Sequence, residues 1–248
     1  MVFVHRFEPH DTPYPLGRQV EHDERSRAFA FEAPEAPTRH DTVWPDSAPV
    51  LDQKATSSCT GNASAQLLNT VMFAPAREAK NKRNSWLTEA DALSIYSLGT
   101  HLDGFGPSQY YPPHDDGSSG LGVAKAMQQM GYIDRYSHCF SFTSFLAAIQ
   151  TQPVIVGTDW TTPMFDVDSR GFVHPGPLND QTIQGGHEYL CRGVSFTGDW
   201  LLFRNSWGPR WGGGPGIAPG EFKMALEDFK SLLADSGDVI VPHGVGVS

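Results

Sequence analysis

The sequence predicts an α+β chain in two lobes, and two observations carry that reading: the helical patterns fall before residue 150, and the strand patterns fall after it. The 25 glycines and 19 prolines add a third, pointing to a loop-rich enzyme more than a helical bundle. With 39% hydrophobic residues over 248 positions, the chain is long enough to bury a sizeable core.

Residues 1–45 are polar, rich in proline and histidine, and carry little periodicity. Asp11-Thr12-Pro13-Tyr14-Pro15 and the Pro34 and Pro37 region favour extended backbone, so this segment reads as an arm on the body of the protein. The first helix runs on from Cys59 through residues 63–72, with Ser57 or Ser58 as N-cap and Cys59 in its first turn. Unsatisfied N–H groups there favour a thiolate. Beside a histidine as well, a thiol pKa falls from about 8.5 into the range of roughly 3.5–7.5. A second helix covers residues 87–96, with Thr88 as N-cap and Glu89 and Asp91 in its first turn. A third covers residues 123–130 and stops at Gly131, and a fourth covers residues 141–150. Residues 153–157 form a continuous apolar run expected of a buried strand. Residues 189–194 and 200–204 read as two more strands, joined by a Thr197-Gly198-Asp199 turn.

Composition also excludes classes of partner. A net charge of −10 argues against nucleic acid, whose phosphates need clustered lysine and arginine. No apolar run approaches 18 residues, so no membrane span is expected. The first residues lack the apolar core of a signal peptide, which makes cytoplasmic synthesis the default expectation. The three cysteines, Cys59, Cys139 and Cys191, permit at most one disulfide; Cys139 and Cys191 read as buried structural thiols.

Two further stretches bear on chemistry. Gly185-Gly186-His187-Glu188 places a histidine at the start of a strand, behind glycines that permit close approach. Asn205-Ser206-Trp207-Gly208-Pro209-Arg210-Trp211-Gly212 places an asparagine at the end of the next strand. Together with Gln53 and Cys59, these stretches resemble the papain-like cysteine peptidases, in which histidine and asparagine follow the cysteine by about 130–150 residues. Here they follow it by 128 and 146 positions, counted from their numbers. The resemblance covers roughly residues 46–230 and looks most like bacterial or phage members.

The resemblance implies a helical lobe (46–150) carrying Cys59 and an antiparallel, β-barrel-like lobe (151–248) carrying His187 and Asn205, with the active site at their seam. It implies that Cys59 is the nucleophile and His187 the acid and base, while Asn205 orients the imidazole. Gln53 and the Cys59 amide would form the oxyanion hole, and Trp207 would shield the His187–Asn205 bond from water. Gly117 and Ser118 would offer main-chain groups to an extended peptide, and Gly157 and Gly186 would line an open specificity subsite.

The sequence departs from the family pattern in several places. Thr60 stands where a bulky aromatic is usual, which makes one wall of the cleft smaller and more polar. Glu188 replaces a small apolar residue; alternation turns it away from the His187 face, so a structural, paired role is expected. The arm is shorter than the family's long propeptide, and its charged part, 18–27, is expected to pack behind the strand lobe.

No metal or cofactor is expected. Residues 166–171 begin like a calcium loop but carry Arg170 where an oxygen ligand belongs, and His187 and Cys191 lie too far apart along a strand to share a zinc ion. The expected partner is a peptide or protein substrate, with the oligomeric state left open. Three activities fit the constellation: peptide hydrolysis, acyl transfer by the same triad (transpeptidase, peptide ligase or wall-peptide amidase), and a catalytically silent peptide-binding module.

Overall fold

The computed structural model describes residues 2–7, 11–33, 38–81 and 85–244. In chain order the elements are β1 (Val2–His5), β2 (Val20–Asp23), β3 (Thr42–Val43), α1 (Cys59–Asn69), α2 (Ala74–Asn81), α3 (Glu89–Leu102) and α4 (Gly120–Gln129). There follow β4 (Ile133–His138), α5 (Phe142–Thr151), β5 (Val154–Thr161), β6 (Ile183–Ser195), β7 (Trp200–Arg204), β8 (Glu221–Ala225), α6 (Leu226–Asp235) and β9 (Asp238–Gly244). The expected helices and strands are all present; α1 ends at Asn69, before the expected 72, whereas α3, α4, β5 and β6 run longer than the sequence suggested.

One sheet organises the molecule. Its strands run β4-β9-β5-β6-β7-β8, with β3 added beside β6, and every strand pairing is antiparallel. Strand β5 is buried along its whole length because both faces of the sheet are covered. Side chains alternate between two cores. Ile155 of β5, Leu190 of β6 and Ile240 of β9 join Leu67, Leu68, Ile95, Val123 and Met127 of α1, α3 and α4. Val154, Val156, Tyr189 and Cys191 face the other way, toward Phe145 of α5, Phe203, Phe222 and Phe229 of α6. Each fully buried leucine or isoleucine in these cores contributes about 1.5–3 kcal/mol of transfer free energy.

Local signals fix the helix starts. Ser58 is the N-cap residue of α1. Thr88 and Asp91 form a capping box at α3, the Ser119 hydroxyl accepts the Gly122 N–H at α4, and Ser141 caps α5. Gly131 ends the α4 segment with φ of 76°, a left-handed conformation that suits glycine. Two elements inside residues 46–150 associate with the sheet: β4 pairs with β9, and α5 packs its Phe145, Leu146 and Ile149 into the sheet's outer core.

The arm divides. Strands β1 and β2 form a hairpin of their own. Farther on, Phe31 N–H donates to the His138 carbonyl, β3 pairs with β6, and Asp41 accepts from Ser195, Phe196 and Thr197 at the β6–β7 turn. That later part lies along the strand lobe. Residues 14–19 do not; they enter the seam between α1 and β6.

Candidate active site

Cys59 is the first residue of α1 and is fully buried. The helix it opens packs on β6, the strand that carries His187. The sequence reading expected a depressed thiol pKa. Instead, burial pushes it up to about 12, with backbone amides pulling the other way. The sulfur has no exposure to water, and a Gly17 amide of the arm is among the groups that oppose the shift.

His187 lies in β6 opposite Thr158 of β5, on the face that also carries Tyr189. Its Nε2 is 2.6 Å from Asn205 Oδ1, and that same oxygen accepts the Ser206 N–H at 2.7 Å. An oxygen that accepts from the backbone identifies itself as the amide carbonyl, so Nε2 carries the proton and donates. Nδ1 is therefore the lone-pair nitrogen, and it is buried with no hydrogen-bond partner among the described residues. Burial lowers the imidazole pKa to about 4, opposed by the Asn205 bond. Asn205 itself is placed by β7, with its N–H on the Gly220 carbonyl at the turn before β8.

Trp207 stacks on His187 with ring centroids 4.7 Å apart, and Trp160 meets the imidazole edge-on at 4.9 Å. These rings exclude water from the His187–Asn205 bond, which strengthens it. Behind them, Arg192 and Arg204 both bind the fully buried Glu221, tying β6 and β7 to β8 beside Asn205.

Gln53 is buried; its N–H donates to the Ser206 carbonyl and its Oε1 accepts from the Ser206 hydroxyl at 2.7 Å. With Oε1 so engaged, Nε2 points into the seam, donating to Thr56 O at 2.8 Å and reaching Pro15 O of the arm at 3.4 Å. Trp207 Nε1 reaches the same Pro15 carbonyl at 3.3 Å, and Tyr14 stacks on the Trp207 ring at 4.7 Å.

From there the arm runs as an extended strand between the lobes. Gly17 and Arg18 N–H both donate to Gly186 O, Ser118 N–H donates to Gly17 O, and Gln19 N–H donates to Ser118 O. The main chains of Ser118 and Gly186 thus both pair with the arm, whereas the sequence reading gave the pairing role to Gly117 and Ser118 and put Gly186 in a subsite wall. Gly117 lies against the same segment: a Cβ there would fall 2.2 Å from the Gly17 carbonyl. A Cβ at Gly186 would fall 2.3 Å from the Arg18 carbonyl, so only glycine admits the strand.

The space beside Gly157 holds Arg18: a Cβ there would fall 2.5 Å from Arg18 Nε. Arg18 is fully buried there, with Nε and Nη2 on Asp238 Oδ2 at 3.3 and 2.9 Å and Nη1 3.6 Å from Asp159. Glu188 is fully buried and turned away from the His187 face, as alternation predicted; the cation beside it is Arg18, with Nε at 4.0 Å. Burial and the adjacent Asp238 push the Glu188 pKa up against the pull of Arg18. A charged arm expected behind the strand lobe instead delivers Arg18 into the seam. Arg18, Asp159 and Asp238 were missed in the sequence, where the extended Tyr14-Pro15-Leu16-Gly17 run before a lone arginine was the available signal. Thr60 is fully buried, and Cys139 and Cys191 are buried free thiols.

No family model matches the sequence, and no curated protein matches it. Its fold matches solved structures. Xylellain, a cysteine protease from Xylella fastidiosa, superposes with a TM-score of 0.58 at 19% identity, over 96% of this chain and 98% of that one. Digestive procathepsin L2 proteinase from the larval midgut of Tenebrio molitor gives 0.63 at 18% identity, over 94% and 81%. The bromelain protease from Ananas comosus, solved with the E64 inhibitor, gives 0.53 at 15% identity, over 83% and 99%.

Proposed function

We propose that this chain, which has the papain-like cysteine peptidase fold, is a thiol hydrolase of peptide bonds held shut by its own arm. One observation carries the reading: Cys59 opens α1, which packs on β6, and β6 carries His187, whose protonated Nε2 is pinned on Asn205 while Nδ1 is left unpaired. In this reading Nδ1 takes the thiol proton as the sulfur attacks the scissile carbonyl carbon. The carbonyl oxygen gains negative charge between Gln53 Nε2 and the Cys59 N–H. As the tetrahedral adduct collapses, the C–N bond breaks and Nδ1 returns its proton to the leaving amine. Water, deprotonated by the same nitrogen, then cleaves the thioester and regenerates the thiol.

Residues 14–19 supply the regulation. They use the main-chain edges of Ser118 and Gly186 that a substrate needs, while burial holds the thiol and the imidazole in their neutral forms. Activity therefore requires the arm to leave. The test is peptide turnover together with labelling by a thiol-reactive epoxide, measured on the intact chain and on one whose arm contacts are weakened. Cys59→Ala is expected to abolish both turnover and labelling at that position with the fold retained; turnover surviving in that variant reassigns the nucleophile.

A further inference from the structure

The register of the sheet gathers three carboxylates at one spot. Gly157 of β5 pairs with Glu188 of β6 on one side and Asp238 of β9 on the other, and Asp159 lies two residues along the same face. Gly157 leaves the space between them: a Cβ there would fall 2.4 Å from Glu188 Oε2 and 2.5 Å from Arg18 Nε. Carboxylates crowded in an enclosed site repel one another and lose hydration, so they are held there by a proton or by a cation among them. Glu188 makes this plain. Neither of its carboxylate oxygens has a hydrogen-bond partner among the described residues, although both are buried. The cation here is the Arg18 guanidinium of the arm, seated in a space whose walls belong to the body of the protein.

We propose that Asp159, Glu188 and Asp238 form an arginine-accepting subsite of the cleft, and that Arg18 is its internal occupant in place of a substrate arginine. This rests on the hydrolase reading, which it deepens by naming the side chain the cleft selects. The match is to a guanidinium more than an ammonium. Two adjacent N–H groups of Arg18 converge on Asp238 Oδ2, and Nη2 also reaches the Ser236 carbonyl. A lysine offers one compact charge and cannot make this planar set of contacts.

The experiment uses the full chain carrying Arg18→Ala, so that the subsite is vacant. Alanine-host hexapeptides with arginine, lysine or leucine placed at each position in turn are assayed for cleavage. They are also titrated calorimetrically into the chain carrying Arg18→Ala and Cys59→Ala. Arginine at one position flanking the cleaved bond is expected to raise kcat/KM and affinity by about tenfold or more over leucine, with lysine between them. Adding Asp238→Asn or, separately, Gly157→Ala is expected to remove that preference, the first by charge and the second by space. Tighter binding of arginine peptides with no cleavage would reject the hydrolase reading and keep the subsite. Cleavage or binding that is indifferent to arginine at every position overturns the proposal.

Discussion

Replacing Arg18 by alanine in the full chain tests whether one side chain latches the cleft. In the closed chain this guanidinium is fully buried, bound through Nε and Nη2 to Asp238, to the Ser236 carbonyl, and 3.6 Å from Asp159. Removing one partner of such a buried ionic set costs about 3–5 kcal/mol, because the remaining carboxylates lose their countercharge without regaining water. When residues 14–19 lift, the vacated site hydrates and most of that cost disappears. The open form is therefore expected to gain about two to three orders of magnitude in population relative to the closed one. Labelling of Cys59 tracks the open population when opening and closing are fast. The assay is the rate of alkylation by a thiol-reactive epoxide at neutral pH, assigned to each cysteine by peptide mass. Cys139 and Cys191, both buried free thiols, serve as internal controls. A Cys59 rate within about threefold of the parent refutes the latch, on the tenfold-per-1.4 kcal/mol scale. So does acceleration of all three cysteines in parallel, which reports global unfolding.

Three other outcomes follow from the same geometry. Gln53→Ala in the arm-weakened chain is expected to lower kcat by about 10²–10³ with a smaller change in KM, as for loss of one oxyanion donor; an unchanged kcat removes Gln53 from the oxyanion hole. His187 has its pKa lowered by burial from 6.5 to about 4, so between those values the unfolded chain binds more protons and stability falls as pH falls. At pH 5 this component amounts to about 2 kcal/mol, read as the difference in urea stability between pH 7 and 5 for the parent minus that for His187→Gln; identical pH dependence in the two chains refutes it. Glu221 is fully buried, yet the charges and hydrogen bonds of Arg192 and Arg204 outweigh burial and lower its pKa. It therefore stabilises the fold above the ordinary carboxylate range and less as pH falls through its depressed value. Glu221→Gln is expected to cost about 3–5 kcal/mol at neutral pH by urea unfolding, and a loss under 1 kcal/mol contradicts the role assigned to this pair of arginines.

What the sequence determined by itself is the set of local decisions. Serine and threonine caps start the helices, continuous apolar runs make a strand covered on both faces, and the glycines before His187 leave room for another backbone. Cys59 at a helix start and Asn205 at a strand end are also legible, because their positions depend on neighbours in the chain and their spacing resembles a known family. Alternation correctly turned Glu188 from the His187 face. Only the tertiary structure decided what Glu188 meets there, since Gly157, Asp238 and Arg18 approach it from three distant parts of the chain. It also reversed the expected protonation of Cys59 and His187. A helix N-terminus favours a thiolate, but the sulfur has no exposure to the water that ionisation needs. Local sequence sets which groups are present and which way they point; burial, and hence their protonation and access, depends on which segment covers them, and that is a property of the folded chain.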